Sequence, residues 1–297
     1  MAMESTVSAT IFTTFPRDTF KPNMTNITQA PCGPTERVQS SVTVYMKNLA
    51  AADFFLCLCL PLRIAHNATY SITIRNMYCS FGATAFYLNM YASILFMDII
   101  AANRYLKIVR PLETHALQMV RTARHISIGT WLSLLAMSSV YLILFLQTSW
   151  DHDQKLSCES LHSHKLSVVY KIIHCVSFAV FAFVLMSLVF LYWKTLQKIL
   201  QAQLSTQTVS SHHKFNKSKR NMLVLVVVFC VCFVPYHLVR LPYVFSSDCT
   251  FNTLKELTIL LSVLNVCFDP LIYFIFCKTF RDQLRKKDLQ RSSEDKT

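Results

Sequence analysis

The sequence predicts an all-α integral membrane bundle with six recognisable spans, and three observations carry that prediction. Of the 297 residues 53% are hydrophobic and 15% charged, with three glycines, whereas soluble domains carry about 25% charged residues. Six apolar segments, at 42–65, 78–103, 125–147, 168–193, 221–245 and 254–277, each approach the roughly 20 residues that a spanning helix needs. The cations gather in 104–124, 194–220 and 278–291, after the second, fourth and sixth segments, as cytoplasmic loops do.

The same observations exclude several function classes. Twenty-nine Lys and Arg against sixteen Asp and Glu give a net charge of +13. Their place between apolar runs argues for a membrane and against nucleic acid. The acids and histidines Asp53, Asp98, His174 and His237 stand isolated, without nucleophile–base spacing, so the chain does not read as an enzyme. No cofactor or metal is implied, because no cysteine pair has ligand spacing. An inverted repeat, a pore loop and an array of voltage-sensing cations are all missing, which argues against a channel or transporter.

In chain order, residues 1–40 form a polar Thr-, Pro- and Ser-rich stretch with no apolar signal core. Asn23-Met24-Thr25 and Asn26-Ile27-Thr28 are acceptor patterns for N-glycosylation, so this reads as an extracellular-type tail. Residues 41–285 make the transmembrane bundle and 286–297 a cytoplasmic tail. The positive-inside rule places 104–124, 194–220 and 278–297 in the cytoplasm. Alternation then puts the start of the first segment, near Ser40, there as well. With six spans the glycosylation patterns would fall on the wrong side, and one further span before Ser41 would restore the parity.

Within the spans, four groups of residues stand out. Asp53 sits halfway down the first segment, where an ionisable group faces the bundle interior and finds a partner or a cation. Asp269 and Asn265 on the last segment could join it. The alternatives are a switch or sodium-type pocket and a buried, hydrogen-bonded carboxyl. Asn103-Arg104-Tyr105 ends the second segment, where an arginine can also snorkel to headgroups. In Asp269-Pro270-Leu271-Ile272-Tyr273 a proline kink brings a tyrosine near the inner face. Residues 229–243, FCVCFVPYHLVRLPY, combine Pro235 with His237, Arg240 and Tyr243 on one helix face. A cation there must look onto water or a partner, and neighbours must re-satisfy the backbone that Pro235 frees. Of the eleven cysteines, Cys32, Cys79, Cys158 and Cys249 lie outside apolar cores and are available for bridging.

Together, Asn48-Leu49-Ala50-Ala51-Ala52-Asp53, Cys79, Asn103-Arg104-Tyr105, Trp131, Phe233-Val234-Pro235-Tyr236 and Asp269-Pro270-Leu271-Ile272-Tyr273 resemble, in order and spacing, the rhodopsin-like class A G-protein-coupled receptors. The resemblance runs from Ser40 to Arg285. It implies a seven-helix receptor bundle in which the six runs are helices two to seven and the first helix is absent. About 25–35 residues, a span and a short loop, would be missing between Val38 and Ser41. Phe86-Tyr87-Leu88-Asn89-Met90-Tyr91-Ala92-Ser93-Ile94, the stretch Cys232 to Tyr243, Lys255-Glu256-Leu257-Thr258 and Leu264 to Pro270 are similar to the purinergic nucleotide-receptor branch of ADP and UDP-sugar type. That branch also holds orphan and lysophospholipid receptors with nearly the same letters.

The resemblance implies a multi-pass cell-membrane receptor for an anionic extracellular ligand, a nucleotide or nucleotide sugar, signalling through heterotrimeric, inhibitory-type G-proteins. Arg240 and Lys255 would grip phosphates, Arg through paired donors and Lys as a point charge, with Tyr87, His237 and Tyr243 lining the pocket. The competing reading pairs Arg240 with Glu256 or Asp248 and lets Lys255 snorkel outward. Cys79–Cys158 and Cys32–Cys249 match the family's bridges. Arg104 would contact the G-protein, Tyr192 and Tyr273 would rearrange around it, and Asp53, Asn103 and Asp269 would belong to the switch. The basic loops would also meet lipid headgroups, and Lys278 to Arg285 fits an eighth helix lying on the membrane. Asn103 stands where the family has an aspartate, and Asp98 where relatives carry small or apolar residues. Two alternatives stay open: a lysophospholipid receptor, and a truncated, non-signalling product that associates with intact receptors.

Overall fold

A computed structural model describes residues 40–69, 71–110, 115–149, 164–205, 209–245, 249–276 and 285. Among the described residues every regular element is helical. Helix α1, Ser41–Ala68, starts where Thr43 and Val44 donate their amides to the Ser40 carbonyl at 2.9 and 3.3 Å. It stops at Thr69, whose extended backbone turns amide and hydroxyl back onto the Ala65 carbonyl. Tyr45, Leu49, Ala52 and Leu56 recur every three or four residues and are buried, while Phe54, Phe55 and Leu58 face outward. A helix apolar on all sides is what a span requires.

Helix α2, Ile72–Met77, passes through a π turn at Tyr78–Gly82 into α3, Ala83–Val109, so much of the expected link at 66–77 is helical. A Cβ on Gly82 would lie 2.5 Å from the Tyr78 ring, and that ring stacks on His66 of α1 at 4.5 Å. Glycine is what lets the ring lie across the widened turn. Helix α3 is the central post: Phe86, Met90, Ile94, Met97 and Ile100 are all buried. Helices associate in lipid by close packing rather than by escape from water, so this interdigitation holds the bundle together.

A short 3₁₀ turn, Ala116–Gln118, leads to α4, Val120–Ser149. Trp131 of α4 donates Nε1–H to Asn48 Oδ1 of α1 at 2.9 Å. Helices α5, His164–Ser205, and α6, Val209–Phe245, correct the reading of 194–220 as a loop, because helix continues to 205 and resumes at 209. The stretch has no glycine or proline, and its Lys, Gln, Leu and Ala residues are good helix formers. Gln203 and Asn216 bond across the two extensions at 3.3 Å.

The last segment divides into α7, Cys249–Val263, and α8, Asn265–Phe276. Pro270 has no N–H to give the Val266 carbonyl and crowds it, and the chain tightens at Leu264, whose oxygen accepts from Cys267 at 2.9 Å. By length and composition, Ser41–His66, Ala83–Val109, Val168–Leu204, Asn216–Phe245 and Thr253–Phe276 are long and apolar enough to cross a membrane; α4, at 30 residues, has the length. The six apolar segments therefore fall on six long helical runs. Asn103 near the end of α3 donates to Ser41 Oγ at 3.1 Å. The first residue of α1 thus lies on the same side as the basic end of α3, as the charge pattern requires. The eighth helix expected at 278–285 lies outside the described residues except for Arg285, which is helical.

Candidate ligand site and switch residues

Tyr243 is the meeting point of the outer site. The Arg240 guanidinium lies 5.2 Å from the centroid of its ring and Lys255 Nζ 4.5 Å from it. Lys255 also donates to the Tyr243 hydroxyl at 3.4 Å. Both cations are buried, at 5% and 7% exposure, so Lys255 does not snorkel outward. One turn of α6 below the ring, Arg240 donates to the Tyr87 hydroxyl of α3 at 3.0 Å and to the Tyr170 hydroxyl of α5. Phenol oxygens and ring faces hold a guanidinium without neutralising it, so the positive charge of the site is kept.

The alternative pairing of Arg240 with Glu256 does not form. Glu256 is taken by Arg63 of α1 at 2.8 Å and by Lys255 at 3.5 Å, while Asp248 lies outside the described residues. His237 sits deeper on the same face of α6. Its Nδ1–H donates to the Phe233 carbonyl at 2.8 Å, which leaves Nε2 to accept the Tyr91 hydroxyl at 3.2 Å. Its ring lies 3.8 Å from that of Phe181, within 4° of parallel. Such a ring is a fixed wall of the pocket.

Beneath the aromatic floor lies the polar cluster read from Asp53. Asn89 donates to one oxygen of Asp53 at 3.0 Å and Tyr273 to the other at 3.3 Å. Asn265 donates to Asp269 at 3.3 Å, and the two carboxyls interact directly. The cluster ties α1, α3 and α8 at mid-depth. Asp98 does not join it: Ser187 of α5 bonds that carboxyl, which faces a different cleft. Near Pro235, Ser262 of α7 donates to the Cys232 carbonyl of α6 at 3.0 Å, a neighbouring helix serving the backbone of the kinked turn.

At the inner end Arg104 donates to the Phe276 carbonyl of α8 and lies 4.9 Å from the Phe276 ring centroid. Asn103 points elsewhere, donating to Leu117 O at 2.8 Å as well as to Ser41. Tyr192 of α5 is half-buried against the core. Cys79 is disulfide-bonded. Cys32, Cys158, Asn23, Asn26 and the side chain of Cys249 lie outside the described residues.

An arginine at the inner end of a central helix, a paired-carboxyl cluster at mid-depth and a proline-kinked helix over a polar outer cavity form one ordered set. Residues 32–273 match the family described as 7 transmembrane receptor (rhodopsin family). The chain belongs to that family. It is similar to purinoceptor 14 of Bos taurus, a purinergic nucleotide receptor by name, 33% identical over 83% of this chain and 76% of that protein. It is also similar to G-protein coupled receptor 87 of Mus musculus, 30% identical over 87% and 74% of the two chains, and to Lysophosphatidic acid receptor 6 of Homo sapiens, 28% identical over 85% and 76%.

As a class A receptor of the purinoceptor branch, this protein is a multi-pass membrane protein with an extracellular ligand and a G-protein partner, and not an enzyme. Its bundle holds the six long runs and lacks the family's first helix. Sequence reasoning assigned no site role to Arg63, Tyr170, His174 or Asn89. Arg63 carried a usable signal, since it is a cation inside the apolar run LCLPLRIAH and such cations are functional by default. Tyr170 and His174, whose rings meet at 4.2 Å, look like ordinary residues at the head of an apolar helix.

Proposed function

We propose that this receptor binds a phosphate-bearing anion, a nucleotide or nucleotide sugar, at the outer site and signals through inhibitory-type G-proteins. The observation that carries the reading is the convergence of Arg240 and Lys255 on the single ring of Tyr243, both buried. Two like charges held that close repel each other, and a ligand carrying negative charge relieves the repulsion. Arg240 supplies paired donors, Lys255 a point charge, and Tyr87, His237 and Tyr243 the walls. Asp53, Asn103, Arg104, Tyr192, Asp269 and Tyr273 form the route from pocket to G-protein, with Arg104 at the partner surface. Cys79–Cys158 and Cys32–Cys249 brace the outer face in this reading. Residues 1–40, with acceptor sites Asn23 and Asn26, form the outer tail, 41–285 the bundle and 286–297 the inner tail.

The experiment is G-protein activation by nucleotides, nucleotide sugars and lysophosphatidate, measured on this chain and on one carrying an added first helix. A nucleotide response that Arg240→Ala and Lys255→Ala abolish supports the reading. A nucleotide response that survives both substitutions overturns the phosphate grip, and a response to lysophosphatidate alone transfers the site to lipid phosphate. Silence from this chain beside a responsive extended chain identifies a non-signalling product.

A further inference from the structure

A second cavity lies on the lipid side of the bundle, between α3, α4 and α5. Its volume is about 390 Å³, and its lining includes Leu95, Asp98 and Ile99 of α3, Thr130 of α4, and Val180 and Phe183 of α5. That volume falls within the roughly 300–1,000 Å³ usual for small-molecule sites. Phe183 is 73% exposed at its mouth, so the cavity opens toward hydrocarbon and not toward either aqueous face. Its lining has a single ionisable group, Asp98. The Thr130 hydroxyl is occupied by the Ile126 carbonyl at 2.9 Å. Ser187 bonds the Asp98 carboxyl from α5, while Asp98 Oδ1 is buried with no hydrogen-bond partner among the described residues.

An acid in a spanning helix is costly, and it marks a site when it faces a cavity with an acceptor oxygen to spare. The complement is a cation on an apolar body: an ammonium gives Asp98 a charge-assisted hydrogen bond, and an alkyl or ring portion fills the space between Leu95, Val180 and Phe183. We propose that this cleft binds a lipophilic amine that enters from the bilayer. The site is distinct from the outer one and opposite to it in preference, since Arg240 and Lys255 select anions and Asp98 selects a cation.

The test uses the purified full chain in phosphatidylcholine nanodiscs and three photoreactive probes with the same dodecyl chain and diazirine: an amine, an alcohol and a carboxylate. The amine is expected to label the peptides containing residues 95–99 and 176–184 saturably, with roughly tenfold preference over the alcohol, as one charge-assisted bond allows. Asp98→Asn should bring amine labelling down to the alcohol's level. Val180→Phe, which fills the cleft and leaves the carboxyl in place, should abolish labelling there by amine and alcohol alike. Equal labelling by amine and alcohol, or amine labelling that survives either substitution, overturns the proposal. Where Asp98→Asn does not yield a monodisperse receptor, Val180→Phe and the probe comparison decide it.

Discussion

Glu256 is shared between two cations on two helices: one carboxylate oxygen lies 2.8 Å from Arg63 and the other 3.5 Å from Lys255. Glu256 is half exposed, so the pairing is screened and worth at most about 1 kcal/mol. Its consequence is competitive. An anionic ligand reaching Lys255 must displace a carboxylate already there. Glu256→Gln removes the competitor and should tighten nucleotide binding by up to about fivefold, the equivalent of about 1 kcal/mol. Equilibrium binding to purified receptor checks this, and unchanged or weaker binding would count against a competing carboxylate.

Arg240 is held by the Tyr87 and Tyr170 hydroxyls and by the Tyr243 ring. Arg240→Lys keeps a charge but loses the planar fork that meets phosphate with two donors. Nucleotide affinity should fall by roughly tenfold or more, with Arg240→Ala worse than Arg240→Lys. A competition assay with the two variants side by side gives the order.

Asn103 uses both hydrogens of its amide, on Ser41 Oγ and Leu117 O. Asn103→Asp cannot donate to either. The Leu117 carbonyl loses its side-chain donor, a loss of about 1–3 kcal/mol, and the new carboxylate is available to Arg104 next to it. The variant should melt at lower temperature and show less ligand-independent G-protein activation. Nucleotide-exchange assays without ligand on both forms test the second half, and equal basal rates would remove Asn103 from the switch.

Ser262 is the contact between α7 and the kinked part of α6, through the Cys232 carbonyl. Ser262→Ala should cost about 1 kcal/mol of stability, the net value of one buried hydrogen bond. Thermal unfolding in detergent measures it. A change in G-protein activation larger than the stability loss would mean that the bond also sets the angle at Pro235.

Much of the bundle was legible from composition alone, because a span must be apolar for its whole length and the loop cations give its direction. The polar cluster was legible as well: Asp53, Asn265 and Asp269 are conspicuous in hydrocarbon, and they do meet. What escaped was set by packing. Asn89 reads as one more residue of an apolar helix until Asp53 is found 3.0 Å away. The extensions of α5 and α6 escaped because the reading took the end of apolarity for the end of helix. Helix stops at a breaker or a cap, and 194–220 offers neither glycine nor proline. Arg63 was hidden by its partner, since Glu256 lies 193 residues further along the chain.

The length of α6 turns its proline into a lever. Val209 lies 26 residues before Pro235, about 39 Å of helix at 1.5 Å per residue. The residues that touch the cations of the outer site are only one or two turns to the other side of that proline. A bend of about 10° at such a kink, too small to unpack the core around His237, would sweep the cytoplasmic tip by about 7 Å. The fulcrum sits close to the ligand and far from the G-protein, so the geometry exchanges a small, strong movement above for a long, weak one below.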